Sequence, residues 1–435
     1  MLIYTTTITS RLQYSTDFSG KEVIGKPFEL TSDLNYYQQH NTSPKINYSP
    51  ARISPGEFWI KPHSLLFESK IAEQAIECFD ANGQKAFFKT EGDLSFDIFA
   101  ASFYLLSRYE EYLSHKKDMY GRYAHDNSLA FKEAFLDQPL INLWFKDFKD
   151  ALKAMFPAIT IHNSPFSFLP TYDIDIAWSY KHKGWWRNLG ASIQSLVKGN
   201  WTQFRERINV LKGKQKDPFD TYGWLNHLHQ QYNLKPYYFF LLATKTSRYD
   251  KNISPRQKAL QALISDHLIR YPVAIHPSWR SGDEYSLLKK EREILQNITG
   301  NTVVSSRQHY VRFTLPETFR RLSEQGIQFD FSMGYGSING FRASVASSFY
   351  WYDLEKERQT ELMLFPFCYM DANSFYEQKY SAQQALEEMQ YYHKIVKSVS
   401  GTFITIWHNH FLGADKLYAG WKEVYEEFIK ESEVL

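Results

Sequence analysis

From about residue 165 onward, short apolar runs alternate with amphipathic segments, and this alternation restricts the chain to few folds. The runs are Phe166–Tyr172, Pro236–Ala243, Val273–Ile275, Thr302–Ser305, Ile327–Phe331, Leu362–Cys368 and Thr402–Trp407. The central ones are apolar at successive positions. Parallel strands covered by helices on both sides need that pattern. The intervening segments carry helix punctuation. Ser254-Pro255 sets a cap before a proline at a first helical position. Ser381 and Gln384 spell a capping box ahead of Leu386, Met389 and Val396. Glu284–Ile298 and Pro316–Gln325 run into Gly300 and Gly326, which fit C-caps. Most run-to-run intervals are about 25–40 residues, the length of a βα unit. The first is longer because residues 181–217, rich in Lys, Arg and Trp, read as an insertion, a lid or an amphipathic membrane contact. Seven strands in βα units predict an α/β fold, either a barrel or an open doubly wound sheet.

The first 160 residues read differently, as a smaller α+β unit. Strand-like pieces fall at Leu2–Ile8, Arg11–Ser15 and Glu57–Ile60. A helix is expected from Asp97 to Leu113, capped by Asp97 and striped by Phe99, Phe103 and Leu106. Another is expected over Ile141–Met155, ended by Pro157. The expected division is therefore 1–160 and 161–435. Composition removes several function classes. A net charge of +2 gives no electrostatic footprint for nucleic acid. Two cysteines cannot make a disulfide framework. No apolar stretch approaches the length of a membrane span, and no leader pattern opens the chain, so a cytoplasmic protein without an integral membrane segment is expected. Aromatics make up 17% of the residues, enough to fill a large core and also to line a groove for sugar rings.

In parallel α/β folds functional side chains collect at the C-terminal ends of strands. After the runs come Asp173 and Asp175, His276 with Trp279, Arg307 with His309 and Tyr310, Asp330, Asp371, and His408 with His410. The second run ends without such a residue, at Leu241–Thr244. A carboxylate with two imidazoles can hold a divalent metal and leave positions open. A second carboxylate can take a proton from water, and a histidine on the opposite rim can protonate a leaving group. Asp330 and Asp371 read equally well as caps of the following turns.

At these residues the chain resembles the polysaccharide deacetylase superfamily, the NodB-homology or carbohydrate esterase family 4 domain. The family's Thr-Phe-Asp-Asp motif is matched by Thr171-Tyr172-Asp173-Ile174-Asp175. Its His-x-x-x-His motif is matched by His276-Pro-Ser-Trp-Arg280, which lacks the second histidine. The branch strings Ser306-Arg307-Gln308-His309-Tyr310, Met333-Gly-Tyr335, Gly340-Phe-Arg342-Ala343 and Trp407-His408-Asn409 are also similar. Asp97–Phe103 and Ser107–Tyr112 resemble the branch's poorly characterised N-terminal domain. The resemblance implies a distorted (β/α)7 barrel and a metal-dependent hydrolase that removes acetyl groups from amino sugars of a polysaccharide or glycan precursor. It implies Asp173 as base, His408 as general acid and Arg307 as the residue holding Asp173. It implies Asp175 and His276 as ligands of a divalent metal, zinc first; His309, after the fourth run, is the candidate replacement for the missing histidine. Trp279, Tyr310, Tyr335, Arg342 and Trp407 become candidates for substrate contact or for tuning Asp173. Trp407 sits on a strand, so barrel core is its competing reading. An O-acetyl esterase or amidase would use the same parts. The missing histidine also leaves open an inactive glycan-binding or scaffold protein.

Overall fold

The computed structural model describes residues 1–40 and 44–432. Near the N-terminus β1 (Leu2–Thr5), β2 (Glu29–Thr31), β3 (Lys45–Tyr48) and β4 (Phe58–Trp59) form a parallel sheet in the order β2-β1-β3-β4. A small hairpin follows, β5 (Phe79–Ala81) with β6 (Gln84–Ala86). The strand expected over Arg11–Ser15 is instead the start of a helix, Ser10–Ile24. The Thr9 side chain caps its first turn, and Gly25 closes it at φ 75°. Its buried face includes Ser15, Thr16 and Ser19, and the Thr16 and Ser19 hydroxyls bond back to helix carbonyls. Small polar residues on the inner face hide the helical period from a hydropathy reading.

The helix capped by Asp97 is shorter than its stripe predicts, covering Ile98–Leu106. Arg108 adopts φ 52°, which turns the chain into the short 3-10 segment Tyr109–Tyr112. The helix before Pro157 spans Leu140–Met155.

The second part is α/β with a mixed sheet. Its strands are β7 (Ser167–Ile174), β8 (Tyr237–Leu241), β9 (Val273–His276), β10 (Ser305–Ser306) and β11 (Phe329–Asp330). Then come β12 (Phe349–Asp353), β13 (Arg358–Leu364), β14 (Tyr369–Met370) and β15 (Thr402–His408). The order is β12-β13-β11-β10-β9-β8-β7-β15-β14, and only β12 runs antiparallel to its neighbour. Each of the seven apolar runs meets a strand, although Thr302–Ser305 touches β10 only at Ser305 and Leu362–Cys368 leaves β13 after Leu364. Among the described residues no ladder joins β11 to β14. The segment 358–370 links those sides instead: it pairs with β11 at Met363 and Leu364 and with β15 at Tyr369 and Met370.

The flanking helices follow their punctuation closely. Ser381 and Gln384 form the capping box of helix Ala382–Ser398. Gly300 ends helix Tyr285–Thr299 in the left-handed conformation. Helix Lys258–Leu268 begins later than Ser254-Pro255 suggested, with Gln257 at its N-cap. The register then sets the rim. His408 lies opposite Asp173, and Leu241 opposite His276, so the strand ends finish near one level.

Candidate metal centre and active site

The end of β7 delivers two carboxylates. Asp175 Oδ1 lies 3.2 Å from His276 Nε2, and its Oδ2 lies 3.3 Å from His309 Nε2. One ligand atom from each of the three residues falls within 4.8 Å of the other two. The edges of a tetrahedron around a metal with bonds of 2.0–2.1 Å are about 3.3–3.4 Å. The three donors therefore lie close enough together to share one divalent cation. Asp175 Oδ1 is also buried with no hydrogen-bond partner, which a cation would satisfy.

Both imidazoles are oriented from behind. His276 Nδ1 sits 2.6 Å from the Arg307 carbonyl oxygen, which accepts its proton and leaves Nε2 facing Asp175. His309 Nδ1 sits 3.0 Å from Asp250 Oδ1. Backing by a carbonyl or a carboxylate is the usual support of a metal-binding imidazole. Asp250 is held in turn by the backbone N–H of Trp279 at 2.9 Å and the Ser247 hydroxyl at 2.9 Å.

Two further groups flank this cluster. Asp173 Oδ1 accepts from Arg307 Nη1 at 2.8 Å, and Oδ2 lies 3.6 Å from His276 Nε2. Arg307 is fully buried; it donates to the Phe331 carbonyl and lies 4.2 Å above the Phe239 ring. On the other side, His408 Nε2 is 3.5 Å from Asp175 Oδ2, while its Nδ1 is 2.7 Å from Asp371 Oδ1. Asp371 Oδ2 also accepts the His408 backbone N–H at 2.7 Å, so this carboxylate fixes the ring and its chain together.

The charges respond accordingly. Burial alone would raise Asp175, but His309 and His276 hold it well below the ordinary carboxylate range. Burial opposes protonation of His309 and His408, yet neighbouring carboxylates win. Asp175 and Asp250 raise His309 to about 9, and Asp371, with Asp175 and Asp173, raises His408 to about 10. His410, half-buried next to His408 with no carboxylate bonded to it, is pushed down to about 3 by desolvation and by His408. Asp330 is held by the Ser306 hydroxyl and the Ser332 N–H, and burial raises it to about 6. It braces the β10 and β11 ends below the site.

The cluster opens into a cavity of about 700 Å³ that Asp173, Asp175, His276, His309 and His408 all line. Of the candidate substrate residues, Tyr310 lines it. The others are corrected. Trp407 is fully buried against Tyr425 and Trp421, on the helix side of β15, so core is its place. Tyr335 is buried, its hydroxyl 3.4 Å from Arg108. Arg342 makes a two-pronged pair with Glu111, at 2.8 and 2.6 Å, and so does not tune Asp173. Trp279 does not line the cavity; it stacks at 4.0 Å on Tyr249, which does.

The strand-end reading missed several residues. Asp250 lies nine positions past β8, beyond where that rule looks. Tyr120 and Arg122 reach the cavity from the N-terminal part, and Arg122 donates to the carbonyls of Tyr310 and Gly336 at 2.9 and 3.0 Å. No local pattern in Met119-Tyr-Gly-Arg122 signals this.

Residues 1–157 match the profile of a family described as a family of unknown function, DUF7033. No curated protein matches the sequence. Among solved structures, an assigned polysaccharide deacetylase from Mycobacterium smegmatis is similar at 12% identity and TM-score 0.39, over 62% of this chain and 84% of that one. An assigned polysaccharide deacetylase from Pseudomonas aeruginosa PAO1 is similar at 12% identity and TM-score 0.38, over 62% and 85%. A pseudoenzyme of the CE4 family from Bacillus anthracis, BA3943, is similar at 9% identity and TM-score 0.33, over 63% and 62%.

Proposed function

We propose that this protein is a metal-dependent hydrolase that removes acetyl groups from acetylated amino sugars of a polysaccharide or glycan precursor. One observation carries the reading. Asp175, His276 and His309 converge with their Nε2 and carboxylate atoms turned inward, and Asp173 and His408 stand on either side at 3.6 and 3.5 Å. The motif resemblance supports it, and His309 fills the place of the histidine that the second motif lacks. The segment 358–370, which pairs with both β11 and β15, supports reading the parallel series as a distorted (β/α)7 barrel.

In this reading Asp175, His276 and His309 hold the cation, zinc first among the metals that suit one carboxylate and two imidazoles. When bound, such a cation supplies Lewis-acid polarisation and brings the pKa of water to about 7. The protein's own groups move the protons. Arg307 fixes Asp173 Oδ1, so Oδ2 is the free oxygen that accepts a proton from the attacking water. Asp371 accepts the Nδ1–H of His408 and its charge keeps the ring an imidazolium, which gives its Nε2 proton to the departing amine. An amine is a poor leaving group unless protonated, so a strongly basic imidazole suits an amide better than an ester. Tyr249 and Tyr310, with Tyr120, offer ring faces and edges to a sugar.

The test pairs metal analysis of the purified protein with acetate release from a panel of acetylated glycans. A bound divalent metal and acetate release are expected, and Asp175→Asn with His276→Ala should abolish both. A folded protein that binds no metal and releases no acetate refutes the proposal.

A further inference from the structure

The insertion after β7 is built inside out. It forms two helices, Trp185–Val197 and Trp201–Leu211. The first helix buries Asn188, Ser192 and Ser195. These make polar contacts inward: Asn188 donates to the Tyr180 carbonyl at 3.0 Å, and Ser195 to Gln203 Oε1 at 3.0 Å. Its outer face carries Trp186, Leu189, Ile193 and Val197, spaced three and four apart on one stripe. Trp186 is 69% exposed and Val197 82%. Trp185 and Trp201 extend the apolar surface at the start of each helix, 63% and 60% exposed. A helix that serves only its own fold turns such a stripe toward the core. Exposed apolar patches of this kind mark a surface meant to be covered.

Charge identifies the cover. Residues 181–216 hold nine Lys or Arg against one carboxylate, Glu206, for a net charge of +8. The rest of the chain is therefore acidic, since the whole carries +2. A second copy would set +8 against +8. We propose that this helical pair docks on an anionic lipid bilayer, with the Trp and aliphatic stripe in the interfacial region and the cations on the headgroups. Tryptophan on the apolar stripe of a basic helix is the composition of interfacial helices. Among the described residues no helix is long and apolar enough to cross a membrane, so the contact is peripheral.

The pair is tied to the cavity rim. Asp217 accepts the backbone N–H groups of Ser179, Tyr180 and Lys181, which joins both ends of the insertion. Phe219, two residues on, lines the cavity. Docking would therefore hold the cavity mouth near the bilayer. The inference does not depend on the catalytic reading.

Flotation of the full-length protein with vesicles tests it. Phosphatidylcholine vesicles with and without about one quarter phosphatidylglycerol are compared at low and high salt. Binding is expected to the anionic vesicles, weakening with salt. Trp186→Ser with Val197→Ser should cut the partition at least tenfold. Lys198→Gln, Arg205→Gln and Lys212→Gln together should cut it on the order of 100-fold, at about fivefold per cation. All the changed side chains are exposed, and unaltered circular dichroism and melting check that the variants fold. No binding to anionic vesicles at low salt overturns the proposal. So does equal binding to neutral vesicles, or binding that both variants retain. A dimer in solution that the serine variant dissolves, without vesicle binding, assigns the stripe to a second copy and overturns it too.

Discussion

Asp250→Asn separates a metal centre from a chance cluster of histidines, because Asp250 is not itself among the three donors. The substitution keeps the shape and, with its amide oxygen at the Oδ1 position, the bond from the Trp279 N–H, while its amide NH2 meets the Ser247 hydroxyl where Oδ2 stood. It removes the charge behind His309 Nδ1, at 3.0 Å. Loss of such a backing carboxylate typically weakens metal affinity about 10–100-fold, or about 1.4–2.7 kcal/mol. A second effect has the opposite sign. His309 is raised to about 9, so metal at pH 7 must first expel a proton. That proton makes binding at pH 7 weaker than at pH 9 by on the order of 100-fold. Without Asp250 the imidazole is less basic, and the proton cost shrinks.

The two effects separate with pH. Wild-type affinity for Zn²⁺ should rise by nearly tenfold per unit between about pH 7 and pH 9, then level off. Asp250→Asn should show a flatter rise and bind about 10–100-fold more weakly at about pH 9.5, where His309 is neutral in both. At pH 7 the gap should be narrower. Competition with a chromogenic chelator across this range measures it. Wild-type affinity that stays flat from pH 7 to 9, or a variant that binds as tightly as wild type at pH 9.5, would refute the reasoning.

Asp371→Asn should leave metal affinity nearly unchanged and lower kcat about 10²–10⁴-fold at pH 7. Asp371 raises His408 to about 10, and without it burial drives that ring down, as it drives His410. Its acetate release should recover at lower pH while wild-type release does not, and an unshifted pH profile would sink the general-acid role. Tyr249→Ala should raise KM roughly 2–10-fold with little change in kcat, if a sugar meets that ring; an unchanged KM counts against it. Glu111→Gln strands Arg342 and should cost about 3–5 kcal/mol in urea unfolding. Burial would raise Glu111, but Arg342 and Arg108 hold it at about 2, below the ordinary 4.5. Its contribution is thus full above pH 4.5 and lost as pH falls toward 2, so wild type should lose stability in that window and the variant less.

What could be read in the sequence follows from where each signal comes from. Strands covered on both faces announce themselves as apolar runs, and all seven runs meet a strand, the fourth only at Ser305. β12 (Phe349–Asp353) is also aromatic and largely buried, but it pairs antiparallel with β13 at the sheet edge, outside the βα spacing that picked out the runs. Trp407 and His408 show a choice the sequence could have settled. Neighbours on a strand point to opposite sides. If His408 faces the site, Trp407 faces the helices, and the register indeed sets it beside Tyr172 while His408 sits beside Asp173. Tyr310 follows its strand instead of lying within it, so the alternation does not exclude it. Asp250 stayed hidden because loop length, not periodicity, carries it back to His309.

The N-terminal part also changes meaning once the cavity is seen. Chemistry-bearing groups come from the strand ends, yet Tyr120 and Arg122 supply a wall. That wall cannot swing freely. Arg122 grips the carbonyls of Tyr310 and Gly336, and the buried Glu111 joins Arg342 to Arg108. Breaking such pairs leaves a buried charge without a partner, which is far more costly than losing a surface contact. A hinge between the two parts would have to break them each time it opened. The N-terminal part is therefore better understood as a fixed portion of the site than as an appended module. What it fixes is the shape of the cavity beside Asp175, His276 and His309, where, under the proposed function, the choice of glycan would be made.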